Sequence, residues 1–243
     1  MDLGGKAQKA YLGKLGLLRQ SAVELPEVGT PLSPARWRDI NTMTISYGHG
    51  IAVTPLQMAA AIATVVNGGY YRPPTILKRD KPKPGGEIIH QIFSEKTSSQ
   101  MRNLMRLVVS RGTGRKANVP GYKIGGKTGT AEKQGNGGYR EKALISSFVA
   151  AFPIDAPRYV LLVLVDEPKG NKSTYYYATG GWVAAPTIGK LVQRIAPMIG
   201  IRPVLEGDKP KTSKPKISKR RRAPVKAAFV PFSTKSVERT GAR

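Results

Sequence analysis

The chain contains no cysteine and only two histidines in 243 residues. No disulfide and no thiolate metal site can form, and His49 and His90 lack ligand spacing, so neither a metal nor a cofactor is expected. Acidic residues are scarce: 15 Asp and Glu stand against 40 Lys and Arg, a formal net charge of +25. No uninterrupted apolar run reaches the ~18 residues of a membrane span, and Met1-Asp2-Leu3-Gly4-Gly5 lacks the basic-then-apolar layout of a signal peptide. What is present, a domain-sized chain that is 40% hydrophobic, can bury a core of ordinary size.

The positive surplus would suit an acidic partner, but its distribution is uneven. Between Ile201 and Arg243 there are 13 basic and 3 acidic residues, in a stretch rich in Lys, Pro and Ser. This divides the chain into a folded part, residues 1–200, and a basic tail, residues 201–243, expected to be disordered. The plain reading is a solvated tail; the sharper one is attachment to anionic lipid headgroups, where each Lys or Arg near the surface contributes ~1 kcal/mol. Nucleic acid ranks behind, because stacking aromatics are not interleaved with the charges.

The folded part reads as an α/β scaffold. Ala7, Tyr11, Leu15 and Leu18 form a helical stripe over Lys6–Leu18, weakened by Gly13 and Gly16. Arg19–Thr42 is loop-like, broken by Pro26, Pro31 and Pro34. Thr54-Pro55 caps a helix that runs to Val66 and stops at Asn67-Gly68-Gly69; apolar nearly all round, it is expected to be buried. A proline-and-lysine excursion covers residues 71–86, followed by a short strand over 87–92. Ser94 caps a second helix to about Ser110, with Met101, Leu104, Met105 and Val108 as its core face. The unbroken apolar run Tyr159–Val165 predicts a strand covered on both faces, and Trp182–Thr187 leads into a last helix ended by Gly200.

The run Gly121-Tyr122-Lys123-Ile124-Gly125-Gly126-Lys127-Thr128-Gly129-Thr130 carries the chemistry and fits two signatures. From Gly121 it spells G-x-x-x-x-G-K-T, the phosphate-cradling loop of nucleotide-binding proteins. From Lys127 it spells K-T-G-T, found on a strand beside the nucleophile of penicillin-binding proteins and serine β-lactamases. A phosphate loop must follow a buried strand and open a helix. Here Arg115–Pro120 is polar upstream, and Gln134-Gly135-Asn136-Gly137-Gly138 is turn chemistry downstream. The flanks instead predict a hairpin, one strand over Tyr122–Lys133 and its partner over Ala143–Phe152. On such a strand Lys127 offers a fixed charge to a carboxylate, Thr128 or Thr130 a hydroxyl, and Gly129 room for a substrate backbone. A hairpin of purely structural Gly and Thr remains an alternative on these residues alone.

Ser46-Tyr47-Gly48-His49-Gly50-Ile51-Ala52-Val53-Thr54-Pro55-Leu56-Gln57, then Val119-Pro120-Gly121-Tyr122 running into Gly125–Ala131, then Val165-Asp166-Glu167-Pro168, follow in an order that resembles the C-terminal part of the transpeptidase domain of class B penicillin-binding proteins, specifically the division-specific peptidoglycan D,D-transpeptidases. The resemblance implies a fold of α+β type, β-lactamase- and transpeptidase-like, with a largely antiparallel sheet flanked by helices and incomplete at the N-terminus. It implies acyl transfer through a serine ester on D-Ala-D-Ala stem peptides, β-lactam binding, division-protein partners, and residence at the periplasmic face of the bacterial inner membrane. Carried over, Lys127 serves electrostatics and proton transfer, Thr128 holds position, and Gly129 leaves room for substrate. Thr130 supplies an oxyanion N–H and a hydroxyl for the carboxylate, while Tyr139 rims the cleft.

Two family motifs are not found. S-x-N occurs nowhere, and S-x-x-K only at Ser213-Lys214-Pro215-Lys216 in the tail. The expectation is a fragment, inactive alone, which forms no penicillin adduct without a nucleophile. Alternatives of other classes are a basic membrane- or nucleic-acid-binding module and a nucleotide-binding loop protein. His49, between two glycines, is assigned no role. Asp166 and Glu167 are expected on opposite faces of a strand and so not to act as an acid/base pair, and Tyr175-Tyr176-Tyr177 are read as packing or rim residues.

Overall fold

A computed structural model describes residues 3–78, 90–135 and 138–204, without the side chains of residues 134, 135 and 138–142. Most of the expected surface excursion from residue 79, the start of the strand at 87–89, and the tail from residue 205 lie outside the described residues.

The centre of the described fold is an antiparallel sheet in the order β3-β4-β5, with β3 spanning Gly125–Gly135, β4 Gly138–Phe152 and β5 Tyr159–Asp166. Alternation along β4 builds two cores from one strand. Phe148, Ala150 and Phe152 face one way, onto α5 (Gly180–Met198), whose Ala184, Ala185, Ile188, Val192 and Ala196 recur at helical spacing and are fully buried. Ala151 faces the other way, with Ile154, against Val66 of α3 (Pro55–Val66) and Met105 of α4 (Glu95–Ser110). The expected fold class, helices flanking an antiparallel sheet, is what is observed.

The two predicted caps form. Thr54 Oγ1 accepts the Gln57 N–H at 3.2 Å and the Gln57 side chain accepts the Thr54 N–H at 3.0 Å, a reciprocal capping box. Ser94 Oγ accepts the Thr97 N–H at 3.1 Å to start α4. The end of α3 is closed by side chains of α4: Ser98 Oγ donates to the Val65 carbonyl and Arg102 to the Val66 carbonyl, satisfying groups a helix end otherwise leaves open.

Several expectations need correction. The first helix, α1, is Gly4–Lys14 and ends at a turn in which Gly16 takes φ +75°, so the stripe does not reach Leu18. The loop after it contains α2, Asp39–Ser46, where Thr and Asn argue against a helix. Tertiary contact overrides propensity there: Thr42 and Ile45 are buried, and Gln8 of α1 donates to the Thr42 carbonyl at 3.0 Å. The strand pairing at 90–91 is short, β1 (Tyr70–Tyr71) with β2 (His90–Gln91). On α4 the inward face is Met105 and Val109, while Met101 and Leu104 (55% exposed) point outward, covered by no described residue. Likewise α3 buries only Gln57, Ala61, Thr64 and Val66, and β5 is half-buried, with Leu164 48% exposed, because it is the edge of the described sheet. Lastly, α5 begins at Gly180, before Trp182. Gly180 at its start answers a packing demand, since a Cβ there would lie 2.2 Å from the Ser147 carbonyl oxygen and 2.6 Å from that of Gly129.

Two stability measurements check this packing. Phe148→Ala, at a side chain with no exposure, is expected to cost about 3–5 kcal/mol in urea denaturation. Gly180→Ala adds only a methyl group, yet because its obstacles are backbone oxygens it is expected to destabilise by about 1–3 kcal/mol, against little change for Gly13→Ala, whose Cβ meets nothing within 4 Å.

Candidate active site

The K-T-G-T residues all lie on β3. Before it, Val119-Pro120-Gly121-Tyr122 form a tight turn in which the Tyr122 N–H donates to the Val119 carbonyl at 3.1 Å and Gly121 takes φ +80°. That turn delays the strand from Tyr122 to Gly125. From there β3 pairs with β4 in the register Lys127↔Val149, Thr128↔Phe148, Gly129↔Ser147 and Thr130↔Ser146. Among the described residues no strand pairs with its other side, so the motif runs along an open edge.

No helix follows Thr128, and the glycines upstream belong to a turn and a strand. The nucleotide-loop alternative therefore fails: an extended strand cannot aim successive N–H groups at one phosphate as a helix N-terminus does.

Each motif side chain has a definite position. Lys127 is exposed, and its Nζ donates to the Thr128 carbonyl at 2.7 Å. Thr128 Oγ1 lies 3.0 Å from Thr113 Oγ1, so the two hydroxyls share one proton between them. Thr130 Oγ1 accepts the backbone N–H of Gly180 at 3.1 Å. Its lone pair thus engaged by the first turn of α5, the Thr130 hydroxyl is free to donate outward. The Thr128–Thr113 pair likewise retains one donor, and Lys127 retains two. Hydroxyl donors at the two threonines, with the Lys127 charge at the neighbouring strand position, can hold a carboxylate.

Gly129 has a structural reason of its own. A Cβ there would lie 2.5 Å from Ser147 Oγ on the paired strand. Tyr139 pairs by backbone with Gln134 across the hairpin, and its side chain lies outside the described residues. Thr113, Ser147 and Gly180 are contributors that residue patterns did not reveal. They stand 15, 18 and 50 positions from the threonine or glycine they meet, and nothing local to any of them signals the contact.

Asp166 and Glu167 are not arranged as expected. Glu167 leaves the strand with φ +46°, which brings both carboxylates to one cation: Lys133 Nζ is 2.8 Å from Asp166 and 3.0 Å from Glu167. Hydrogen bonds donated by Lys133 to Asp166 first and Glu167 second hold its pKa above the ordinary value, against the opposing effect of desolvation. The raised pKa means the lysine's share of this cluster is present at neutral pH and is lost as pH climbs through the alkaline lysine range. The two acids are occupied as partners of a lysine. Tyr177 stacks on Trp182 at 5.3 Å and Tyr175 meets it edge-on at 5.6 Å, the packing role expected of this run.

Residues 1–193 match the penicillin binding protein transpeptidase domain. A probable peptidoglycan D,D-transpeptidase FtsI of Caulobacter vibrioides is 42% identical over 210 residues, covering 82% of this chain and 35% of that protein. Among solved structures, the apo transpeptidase domain of penicillin-binding protein 3 from Burkholderia pseudomallei is 33% identical with a TM-score of 0.73, covering 83% of this chain and 60% of that one. Penicillin-binding protein 3 of Mycobacterium tuberculosis, complexed with ampicillin, is 27% identical with a TM-score of 0.73, covering 85% and 49%. The chain spans about a third of the length of the curated relatives it matches. An open-edged K-T-G-T strand, set in this sheet and matched along most of the described fold, places the chain in the penicillin-binding protein transpeptidase domain family.

Proposed function

We propose that these residues form the carboxylate-holding wall of a peptidoglycan D,D-transpeptidase active site. In this reading a serine Oγ attacks the penultimate D-Ala carbonyl of a stem peptide, expels the last D-Ala, and yields its acyl group to an amine of a second stem. The observation that carries it is the set of free donors at Lys127, the Thr128–Thr113 hydroxyl pair and Thr130 along one open strand edge. Those hydroxyls hold the substrate's terminal carboxylate, and the Thr130 N–H supports the developing oxyanion. Lys127 supplies charge and a path for the serine's proton. β-Lactams present a similar carboxylate beside a strained amide and enter the same way.

The 243 residues hold no S-x-N and one S-x-x-K, in the basic tail. The nucleophile in this proposal comes from the N-terminal part of the same domain. Gly129 serves both the sheet and the substrate, since a residue without a side chain relieves Ser147 on one side and admits a peptide backbone on the other. Tyr139, following the hairpin turn, rims the cleft. The folded unit ends near residue 200 in this reading, followed by the basic tail, residues 201–243. Work at the periplasmic face of the inner membrane, beside division proteins, fits the reading, with the tail's positive surplus drawn to anionic headgroups. Among the described residues no helix is long and apolar enough to cross a membrane.

Two substitutions in the intact domain test the roles. Lys127→Ala is expected to lower the rate of acylation by fluorescent penicillin by ~10²-fold or more; a mutant acylated at the parental rate refutes its role. Thr130→Val removes the donor while keeping the shape, and is expected to slow acylation by at least ~10-fold. Thr130→Ser, which keeps the hydroxyl, is expected to retain most of the rate; equal losses in both would assign Thr130 to packing alone.

A further inference from the structure

A cavity of about 550 Å³ adjoins the threonine hydroxyls and is lined by three cationic side chains. Thr128 and Thr130 line one wall; Arg111, Arg115, Lys116 and Trp182 line the others. Lys127 is not among its lining residues. The cavity therefore shares the carboxylate-holding hydroxyls but continues away from the motif lysine.

The cations come from a short segment. Arg111 caps the C-terminus of α4, and Arg115 and Lys116 lie in the single 3₁₀ turn that follows. Favourable interaction with the end of the α4 dipole accounts for Arg111. It does not account for the other two. Among the described residues no ion pair or side-chain hydrogen bond engages Arg111, Arg115 or Lys116, although Lys123 and Lys133 both have acidic partners. Three like charges around one cavity repel one another, and an anion relieves that repulsion.

The aromatic component decides what kind of anion. Trp182 would be the natural stacking surface for a sugar, but Lys116 Nζ sits 4.0 Å from its ring centroid and Tyr177 and Tyr175 pack against it. The ring fixes the lysine through a cation–π contact and is not open for stacking. What the cavity presents is charge and forked hydrogen bonding, which suits carboxylates.

We propose that this cavity is a subsite for a second carboxylate, upstream on the acidic peptide whose terminal carboxylate is held by Thr128 and Thr130. The proposal rests on the stem-peptide reading above and adds a preference within it: acidic stems over stems whose side-chain carboxylate is neutralised as an amide.

Trp182 lies in the cavity and reports on it directly. The chain has two tryptophans, and the Nε1 of the other, Trp37, is buried without a hydrogen-bond partner among the described residues, so Trp37→Phe isolates the signal at little cost. In that background the full chain is titrated at physiological salt with two D-Ala-D-Ala peptides that differ only in a free or amidated side-chain carboxylate, and with tri-glutamate and tri-glutamine. The expected result is Trp182 quenching by tri-glutamate but not tri-glutamine, and about ten-fold tighter binding of the free-acid stem peptide, the scale of one charge-assisted contact. Arg115→Gln/Lys116→Gln should bring the two stem peptides within two-fold, and the charge-keeping Arg115→Lys/Lys116→Arg should restore the preference, which separates lost charge from lost fold.

No response to tri-glutamate overturns the subsite, whatever the stem peptides do. A response to tri-glutamate with none to either stem peptide keeps an anion site and overturns the stem-peptide reading. Tighter binding of a duplex oligonucleotide or of anionic lipid vesicles than of tri-glutamate overturns the assignment to an acidic peptide.

Discussion

The structure depends on a backbone-to-backbone contact: the first turn of α5 lies directly against β3 and β4. Only glycine permits it. A Cβ on Gly180 would lie 2.2 Å from the Ser147 carbonyl oxygen on β4 and 2.6 Å from that of Gly129 on β3. From this contact follow the burial of the α5 stripe on Phe148 and Phe152, and the N–H of Gly180 reaching Thr130. Packing and site chemistry are here the same interaction. The hydroxyl that would donate to a substrate is oriented by the helix that fills the core.

From the opposite face, α4 secures the start of the same strand. Arg106 donates to the Ile124 carbonyl at 2.8 Å and to Asn118 Oδ1 at 3.1 Å, fixing the approach to Gly125. The polar side chains Ser98 and Arg102 then tie α4 to the end of α3, whose Gln57 reaches the carbonyls of Gly16 and Arg19. A motif that must hold donors within a few tenths of an ångström of a substrate gains from being a strand braced by two helices, since strands and helices position side chains better than loops do.

What could be read in the residues was whatever local chemistry decides. Thr54-Pro55 and Ser94 start helices because their hydroxyls satisfy helix N–H groups, and Gly200 follows the end of α5 with φ +74°, conditions met within a few positions. The choice between a phosphate loop and a strand also turned on flanks a few residues away. Placement in three dimensions was not legible. α2 forms against its own propensities because Thr42 and Ile45 find burial. The need for Gly180 was hidden because the obstacle that requires it, Ser147, lies 33 positions away. Leu104 and Leu164 fit a buried pattern yet find no covering neighbour among the described residues. Of the motif itself, residue identity and strand conformation were readable, while the partners Thr113 and Gly180 were not.

The charge distribution completes the physical account. Acids are scarce, and in the described fold Asp155 takes Lys123, while Asp166 and Glu167 converge on Lys133 near the far end of β3. The exposed Lys123–Asp155 pair adds little to stability. The effect that matters is on the field. Among the described residues Lys127, Arg111, Arg115 and Lys116 have no acidic partner, so their charges stand unneutralised beside the K-T-G strand, where a low-dielectric wall strengthens their field. An anion approaching this surface is drawn toward the edge at which hydroxyl donors are already aimed. Net charge alone, read from composition, pointed to any acidic partner; the cations that stay without acids among the described residues locate part of that charge beside the strand.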